Sequence, residues 1–353
     1  MATKKDTINF GIIGCGRISN QHLASIKNLP SAKLVMVCDV LEDRAKKIAA
    51  EEKVEYCLDY RELLDQKNID VVSICTPHGL HAQMAIDTAR AKKHALVEKP
   101  MTLNTAEIDD MIKEFKKAKR KIFPVLQVRF NPPVQYLKKL IKQNELDDIF
   151  HAALVIRWTR PEEYYDLEDW RGTKRMEGGS FLTLGIHYLD VLQWLLGPVK
   201  SVFAKINRVG HSNIEIEDAL IGVISFKRGT IATVEFTTCT YPHNLECSIS
   251  LLGKKGTVKL GGQAVNEIEV WEVENLPRPV LPTGLAPNVY AGGLYQGSCP
   301  NHVFVYQDLI ENLNGTNSKY LDAQEARKTL EIIEGLYKSA ECNQEIFYNC
   351  NIL

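Results

Sequence analysis

Nine cysteines occur in 353 residues, yet no two are spaced as C-x-x-C, and their number is odd. That argues against a disulfide framework or a zinc ribbon. With Cys38 and Cys75 inside apolar, strand-like runs, reduced thiols in a reducing cytoplasm are expected. No apolar run approaches the roughly 18 residues of a membrane-spanning helix, and Met1–Asp6 opens the chain without a signal-peptide h-region. Charge of one sign is lacking too: 43 basic and 44 acidic residues leave a net charge of -1, so no global field favours nucleic acid or an anionic membrane. The one basic run, Lys113 to Lys121, reads as the solvated face of a helix whose apolar stripe is Ile108, Met111, Ile112 and Phe115. There is no internal repeat and no low-complexity tract. The length exceeds a comfortable single core, so two domains are expected, 1–128 and 129–353, with the C-terminal helix free to pack back on the first.

Residues 8–128 alternate short β-branched runs with helix-length amphipathic segments. Strands are expected at Ile8–Ile13, Lys33–Cys38, Val54–Tyr56, Val71–Cys75, Ala95–Val97 and Ile122–Val128, with five helices between them. Six strands with five crossovers predict a doubly wound parallel α/β sheet. The pattern then changes to α+β. Helices are expected at Pro133–Lys142 and, as one amphipathic element, Ser180–Leu196. A strand at Ile149–Thr159 joins strand-like runs from Val199 to Val273, which predict an open-faced, largely antiparallel sheet. Residues 275–300 read as a long irregular loop, and two helices follow.

Gly14-Cys15-Gly16-Arg17-Ile18-Ser19 follows the first strand and opens a helix. Gly14 permits a tight turn, and the bare backbone of Gly16 lets a pyrophosphate approach the helix N-terminus. A plain strand–helix turn also carries glycines, and the third position is Ser19 rather than glycine or alanine. Asp39, ending the second strand, strengthens the nucleotide reading: an acid there accepts from both ribose hydroxyls and repels a 2′-phosphate, so NAD is expected over NADP. Cys75, Thr76, Pro77, His78, Leu80 and His81 follow the fourth strand, where a doubly wound sheet lines its cofactor crevice. His78 and His81 have no acidic neighbour in the segment to complete a ligand set, so no metal is expected.

Lys99 lies directly after the fifth strand, at the same carboxyl edge, between Glu98 and Pro100. Oxidising an alcohol needs a proton acceptor and a cation for the developing alkoxide. Lys99 offers the cation. His187 offers an acceptor, although its periodicity with Leu184, Leu192 and Leu195 by itself favours a core histidine, and which of the two is the formal base is not fixed by the sequence.

Glu98-Lys99-Pro100, the Gly11–Gly16 turn, the Thr76–His81 segment and the Gly178–His187 helix together resemble the glucose–fructose oxidoreductase/inositol dehydrogenase (Gfo/Idh/MocA) family over essentially the whole chain. The resemblance implies catalytic Lys99 and His187, and cofactor contacts that also include Gly11, Arg17, Ile18, Glu98, Lys99 and Gln127. It implies oligomers, a homodimer or homotetramer, packed through the C-terminal sheet. Where many members carry an aspartate four residues before the histidine, this chain has Thr183, and Asp190 is an alternative orienter of the ring.

The segments Gln127–Pro132, Tyr241–Glu246 and Gly253–Gly262 further resemble a nucleotide-sugar branch, the UDP-N-acetylglucosaminuronate 3-dehydrogenases of lipopolysaccharide O-antigen synthesis. That implies an acidic substrate met by Arg129, Arg157, Arg160, Arg171 and Lys174, with Asn131, Trp170, Thr183, Lys99 and His187 beside it; at least two of these basic residues are expected instead to form domain-interface salt bridges. The alternatives are a dehydrogenase of a free sugar or cyclitol, and a non-catalytic NAD-binding regulator.

Overall fold

The computed structural model describes residues 7–282, 284–315 and 321–348; Met1–Asp6 and Cys350 lie outside them. The first eleven elements are β1 (Ile8–Ile13), α1 (Ser19–Lys27), β2 (Ala32–Cys38), α2 (Glu42–Glu52), β3 (Glu55–Cys57), α3 (Tyr60–Asp65), β4 (Val71–Ile74), α4 (His81–Arg90), β5 (His94–Val97), α5 (Thr105–Ala118) and β6 (Ile122–Pro124). The strands form one sheet in the order β3-β2-β1-β4-β5-β6, every pair parallel. Central strand β4 is buried at all four residues, as a sheet covered on both faces requires. Helix α5 starts where the Asn104 side chain accepts from the Glu107 N–H, and it buries Ile108, Met111 and Phe115 beneath its lysines. The last strand is shorter than expected. Pro124 has no N–H to continue the ladder, and Gln127–Phe130 closes into a single 3₁₀ turn.

The second run comprises α6 (Pro132–Lys142), β7 (Ile149–Arg157), α7 (Glu162–Tyr165), α8 (Ile186–Leu196), β8 (Val199–Asn207), β9 (Ala219–Phe226), β10 (Ile231–Thr237), β11 (Glu246–Gly253), β12 (Gly256–Gly261) and β13 (Glu267–Val273). A two-stranded ribbon, β14 (Val289–Tyr290) with β15 (Tyr295–Gln296), lies within the stretch expected to be irregular. Two helices, α9 (His302–Leu313) and α10 (Ala323–Cys342), and β16 (Ile346–Phe347) end the described chain. The large sheet runs β13-β12-β11-β7-β10-β9-β8-β16. It is antiparallel except between β7 and β10. Alternation along β9 and β10 buries Leu220, Ile224, Ala232 and Val234 and leaves Ile221, Val223 and Ile231 exposed on the other face.

By contact the chain divides into Met1–Leu126 with His302–Arg327, and Gln127–Asn301 with Lys328–Leu353. The segment carrying α9 therefore goes by contact with the parallel sheet.

Candidate functional site: a glycine turn and a buried histidine helix

In the first unit, β1 delivers the chain into a turn that only glycine can make. Gly14 has φ +97°, and a Cβ there would stand 2.7 Å from the Cys75 backbone. Its N–H bonds the Cys38 carbonyl at 2.8 Å. At Gly16 nothing lies within 4 Å of where a Cβ would be. The start of α1 carries no side-chain cap, because Ser19 turns its hydroxyl back to the Gly16 carbonyl at 2.6 Å. An open backbone beside uncapped helical N–H groups is what a pyrophosphate needs. The residues present thus fit a dinucleotide.

Asp39 sits at the end of β2, partly exposed. One carboxylate oxygen accepts from the Cys15 N–H at 2.7 Å and the other from the Leu41 N–H at 2.9 Å. Both contacts orient the acid beside the turn and leave each oxygen a lone pair for a ribose hydroxyl. Gly11 is placed differently from the expectation. It lies inside β1, where its missing side chain admits Leu63 and Ile69, so it serves packing and not the cofactor.

After β4, His81 is fully buried, with Nδ1 2.8 Å from the Pro100 carbonyl and Nε2 2.7 Å from the Thr76 carbonyl. Burial pushes its pKa down, against the pull of those two acceptors. With both nitrogens occupied, His81 ties the Thr76 turn to the lysine loop and has nothing left for a cofactor. Glu98 is corrected in the same way. One oxygen meets His22 at 2.9 Å and His302 at 3.2 Å; the other accepts from the Lys99 N–H at 3.0 Å. Burial would raise its pKa, but the two histidine contacts hold it well below the usual carboxylate range. His22 also meets the Tyr306 hydroxyl at 2.9 Å. Glu98 therefore fixes the backbone that presents partly exposed Lys99. Nothing in the sequence could link His22, Glu98, His302 and Tyr306, because the fold alone brings α1, β5 and α9 together.

In the second unit the expected single helix is two. Phe181–Gly185 forms a π-helical turn before α8, of the kind that recurs at functional positions. Gly185 permits it, since a Cβ there would fall 2.2 Å from the Phe181 ring. Rather than amphipathic, α8 is buried on nearly every side, His187 included. Two residues absent from the sequence reading start this helix. Glu217 accepts from the Phe181 N–H at 2.7 Å, and the Tyr337 hydroxyl accepts from the Leu182 N–H at 3.1 Å while donating to Glu217 at 2.8 Å. Burial pushes the Glu217 carboxyl up to about 7, against these donors. Thr183 is buried, its hydroxyl 3.5 Å from the Glu177 carbonyl.

Several expected substrate contacts prove to be internal. Asp190, read as a possible orienter of His187, instead receives Arg129 at 2.6 and 2.7 Å and Thr329 at 3.0 Å. Arg129 is itself fully buried and lies over the Trp194 ring, so neither residue is free for a substrate. A buried carboxylate in an apolar helix requires such a partner. Asn131 is also fully buried, donating to the Ala264 and Val265 carbonyls and accepting from Asn301. Arg157 belongs to a cross-strand ladder, bound by Glu235 at 2.6 and 2.7 Å and by Glu246 at 3.0 Å. Lys174 is exposed. Gln127 is buried, with its amide nitrogen on the Ser298 hydroxyl at 3.0 Å.

Arg171 and Arg160 differ from these. The Arg171 guanidinium lies 4.3 Å from the Tyr164 ring centroid and 4.9 Å from that of Trp170, and donates to the Tyr164 hydroxyl. Arg160 lies among the Trp158, Tyr164 and Tyr295 rings and donates to the Thr159 and Gln296 carbonyls. Among the described residues neither forms an ion pair with a carboxylate, and the Nε of each is buried without a partner.

A glycine turn opening a doubly wound sheet, followed by a mixed-sheet domain with a buried histidine helix, defines an NAD-binding two-domain oxidoreductase. Residues 8–125 match an oxidoreductase family with an NAD-binding Rossmann fold, and residues 134–259 match the GFO/IDH/MocA C-terminal domain. The chain belongs to the Gfo/Idh/MocA family, and its cofactor is NAD. It is similar to the WlbA dehydrogenase of Bordetella pertussis, solved in complex with NADH and UDP-GlcNAcA, at 33% identity and a TM-score of 0.87 over 98% of this chain and 100% of that one. The WlbA dehydrogenase of Chromobacterium violaceum, solved with the same ligands, is also 33% identical, with a TM-score of 0.88 over 98% and 97% of the two chains. Myo-inositol 2-dehydrogenase of Thermotoga maritima is 29% identical over 71% of this chain and 74% of its own length.

Proposed function

We propose that this NAD-dependent oxidoreductase converts the C3 hydroxyl of UDP-N-acetyl-glucosaminuronic acid to a ketone. The observation that carries the reading is half-buried Arg171, a guanidinium held by the Tyr164 and Trp170 rings and in no ion pair among the described residues. Glu168 and Glu177 act on Arg171 without forming an ion pair with it, and a carboxylate or diphosphate on the substrate would supply a close counter-charge through a bidentate fork. The two WlbA relatives support the same substrate class.

NAD, when bound, accepts the hydride leaving the carbinol carbon. The rest falls to the chain: the Gly14–Ser19 turn and Asp39 hold the dinucleotide, with Arg17, Ile18 and the Cys75–Leu80 segment as further contacts. Lys99 donates a hydrogen bond to the substrate oxygen, and His187 accepts its proton. Thr183 contributes a hydroxyl where many relatives have an aspartate. The exposed apolar residues Ile221, Val223 and Ile231 support a homo-oligomer through the open sheet face, measurable by light scattering. The cysteines among the described residues are free thiols, which supports a cytoplasmic setting.

The likeness to an inositol dehydrogenase favours a second reading, a free cyclitol or sugar as substrate. NADH absorbance across a panel of UDP-sugars and free polyols separates the two. Turnover with the acidic UDP-sugar is expected, and turnover confined to free polyols would overturn the proposal. Cofactor binding with no turnover on any member would instead indicate a regulator. Arg171→Lys should raise KM for the acidic sugar about tenfold while sparing kcat, because an ammonium cannot form the two-pronged contact.

A further inference from the structure

The second unit holds a cluster of reactive side chains that the proposed chemistry does not use. Cys239 is exposed just beyond β10, and its Sγ lies 3.8 Å from Nδ1 of buried His211. Sulfur reaches that position because residue 210 is glycine: a Cβ there would stand 2.3 Å from it. The ring is fixed from both sides. Nε2 lies 2.6 Å from the Arg160 carbonyl, an acceptor only, so that nitrogen carries a proton. Nδ1 also faces a carboxylate oxygen of Asp218 at 3.3 Å, which favours a second proton. Asp218 pairs with the protonated ring, and the N–H groups of Val209, Gly210 and His211 hold its carboxylate in place.

We propose that Cys239, His211 and Asp218 form a reactive-thiol site at which a hydroperoxide oxidises Cys239 to a sulfenic acid. Burial works against protonation of His211, but contacts with Cys239, the Arg160 carbonyl and Asp218 lift its pKa to about 9. A protonated ring 3.8 Å from the sulfur is the arrangement that would stabilise a thiolate there. The thiolate sulfur attacks one peroxide oxygen and the O–O bond breaks. The departing hydroxide takes the Nδ1 proton and leaves as water. Sulfur loses two electrons, the peroxide gains them, and His211 ends neutral. A metal site is the weaker reading of the same three residues, since the carboxylate oxygen of Asp218 facing the ring is already bound by those backbone donors.

The molecule contains its own control. Cys342, in α10, is also exposed but has the Ser339 carbonyl as its neighbour. Peptide mass spectrometry after timed iodoacetamide treatment at pH 7 should find Cys239 alkylated at least about tenfold faster than Cys342, as expected for a thiolate stabilised by a cation. After hydrogen peroxide, dimedone should tag Cys239 first. His211→Gln should bring the Cys239 rate down to that of Cys342. Equal rates in the unmodified protein would overturn the proposal without any variant. So would faster alkylation of Cys239 on adding EDTA, because a bound cation would then be holding the sulfur.

Discussion

The two units place their functional groups by opposite means. In the first, the turn and the acid beside it come from two short stretches, and each glycine has one local task. In the second, the histidine helix is started by Glu217 and Tyr337, distant in sequence from it and from each other, and its buried Asp190 is neutralised by Arg129 from before the first strand of that unit's sheet. A local device can be read as a motif. A device assembled from distant segments is visible only once they have folded together.

The sharpest test of this contrast is chemical. Lys99→Ala and His187→Ala should each lower kcat by roughly 10²–10⁴ with NAD affinity retained, the range for a general acid–base group. Near-normal turnover in either variant would remove that residue from the reaction.

Next in size is a pair of glycine substitutions. Gly14→Ala puts a Cβ against the Cys75 backbone at a φ that side chains disfavour, and should cost about 1–3 kcal/mol or more of stability, read by denaturant melts. Gly16→Val meets open space in the protein alone. It should leave the melting temperature unchanged while abolishing NAD binding by calorimetry. Equal effects of the two on stability would contradict the division of labour between them.

The six strands of the parallel sheet, the glycine turn and Asp39 were legible in the sequence because β-branched runs and a strand–turn–helix pattern are local. The large sheet was legible as open and largely antiparallel, while its one parallel pair, β7 with β10, was not, since a crossover leaves no mark in either strand. Arginine was the least legible residue. That at least two of the candidate arginines would sit in salt bridges was expected, but not which: only the fold brings Asp190 to Arg129 and Glu235 and Glu246 to Arg157. The internal partners of His81 and Glu98 were hidden for the same reason, lying on other elements.

The smallest expected effect concerns Glu217. An acid whose folded pKa is raised from about 4.5 to about 7 contributes stability that is full below the unfolded value and lost as pH rises through the folded one. Thermal melts should therefore decline from pH 4.5 to pH 7 through this group, and Glu217→Gln should flatten that slope. An unchanged slope would mean that the start of the histidine helix does not titrate.

Both units are completed by helices from late in the chain. His302 and Tyr306 of α9 close the histidine–glutamate network behind Lys99, and Tyr337 of α10 closes the start of the His187 helix. During synthesis, a nascent polypeptide still short of residue 302 would already carry its glycine turn, Lys99 and His187, while the contacts of His302, Tyr306 and Tyr337 that hold their surroundings would still be missing.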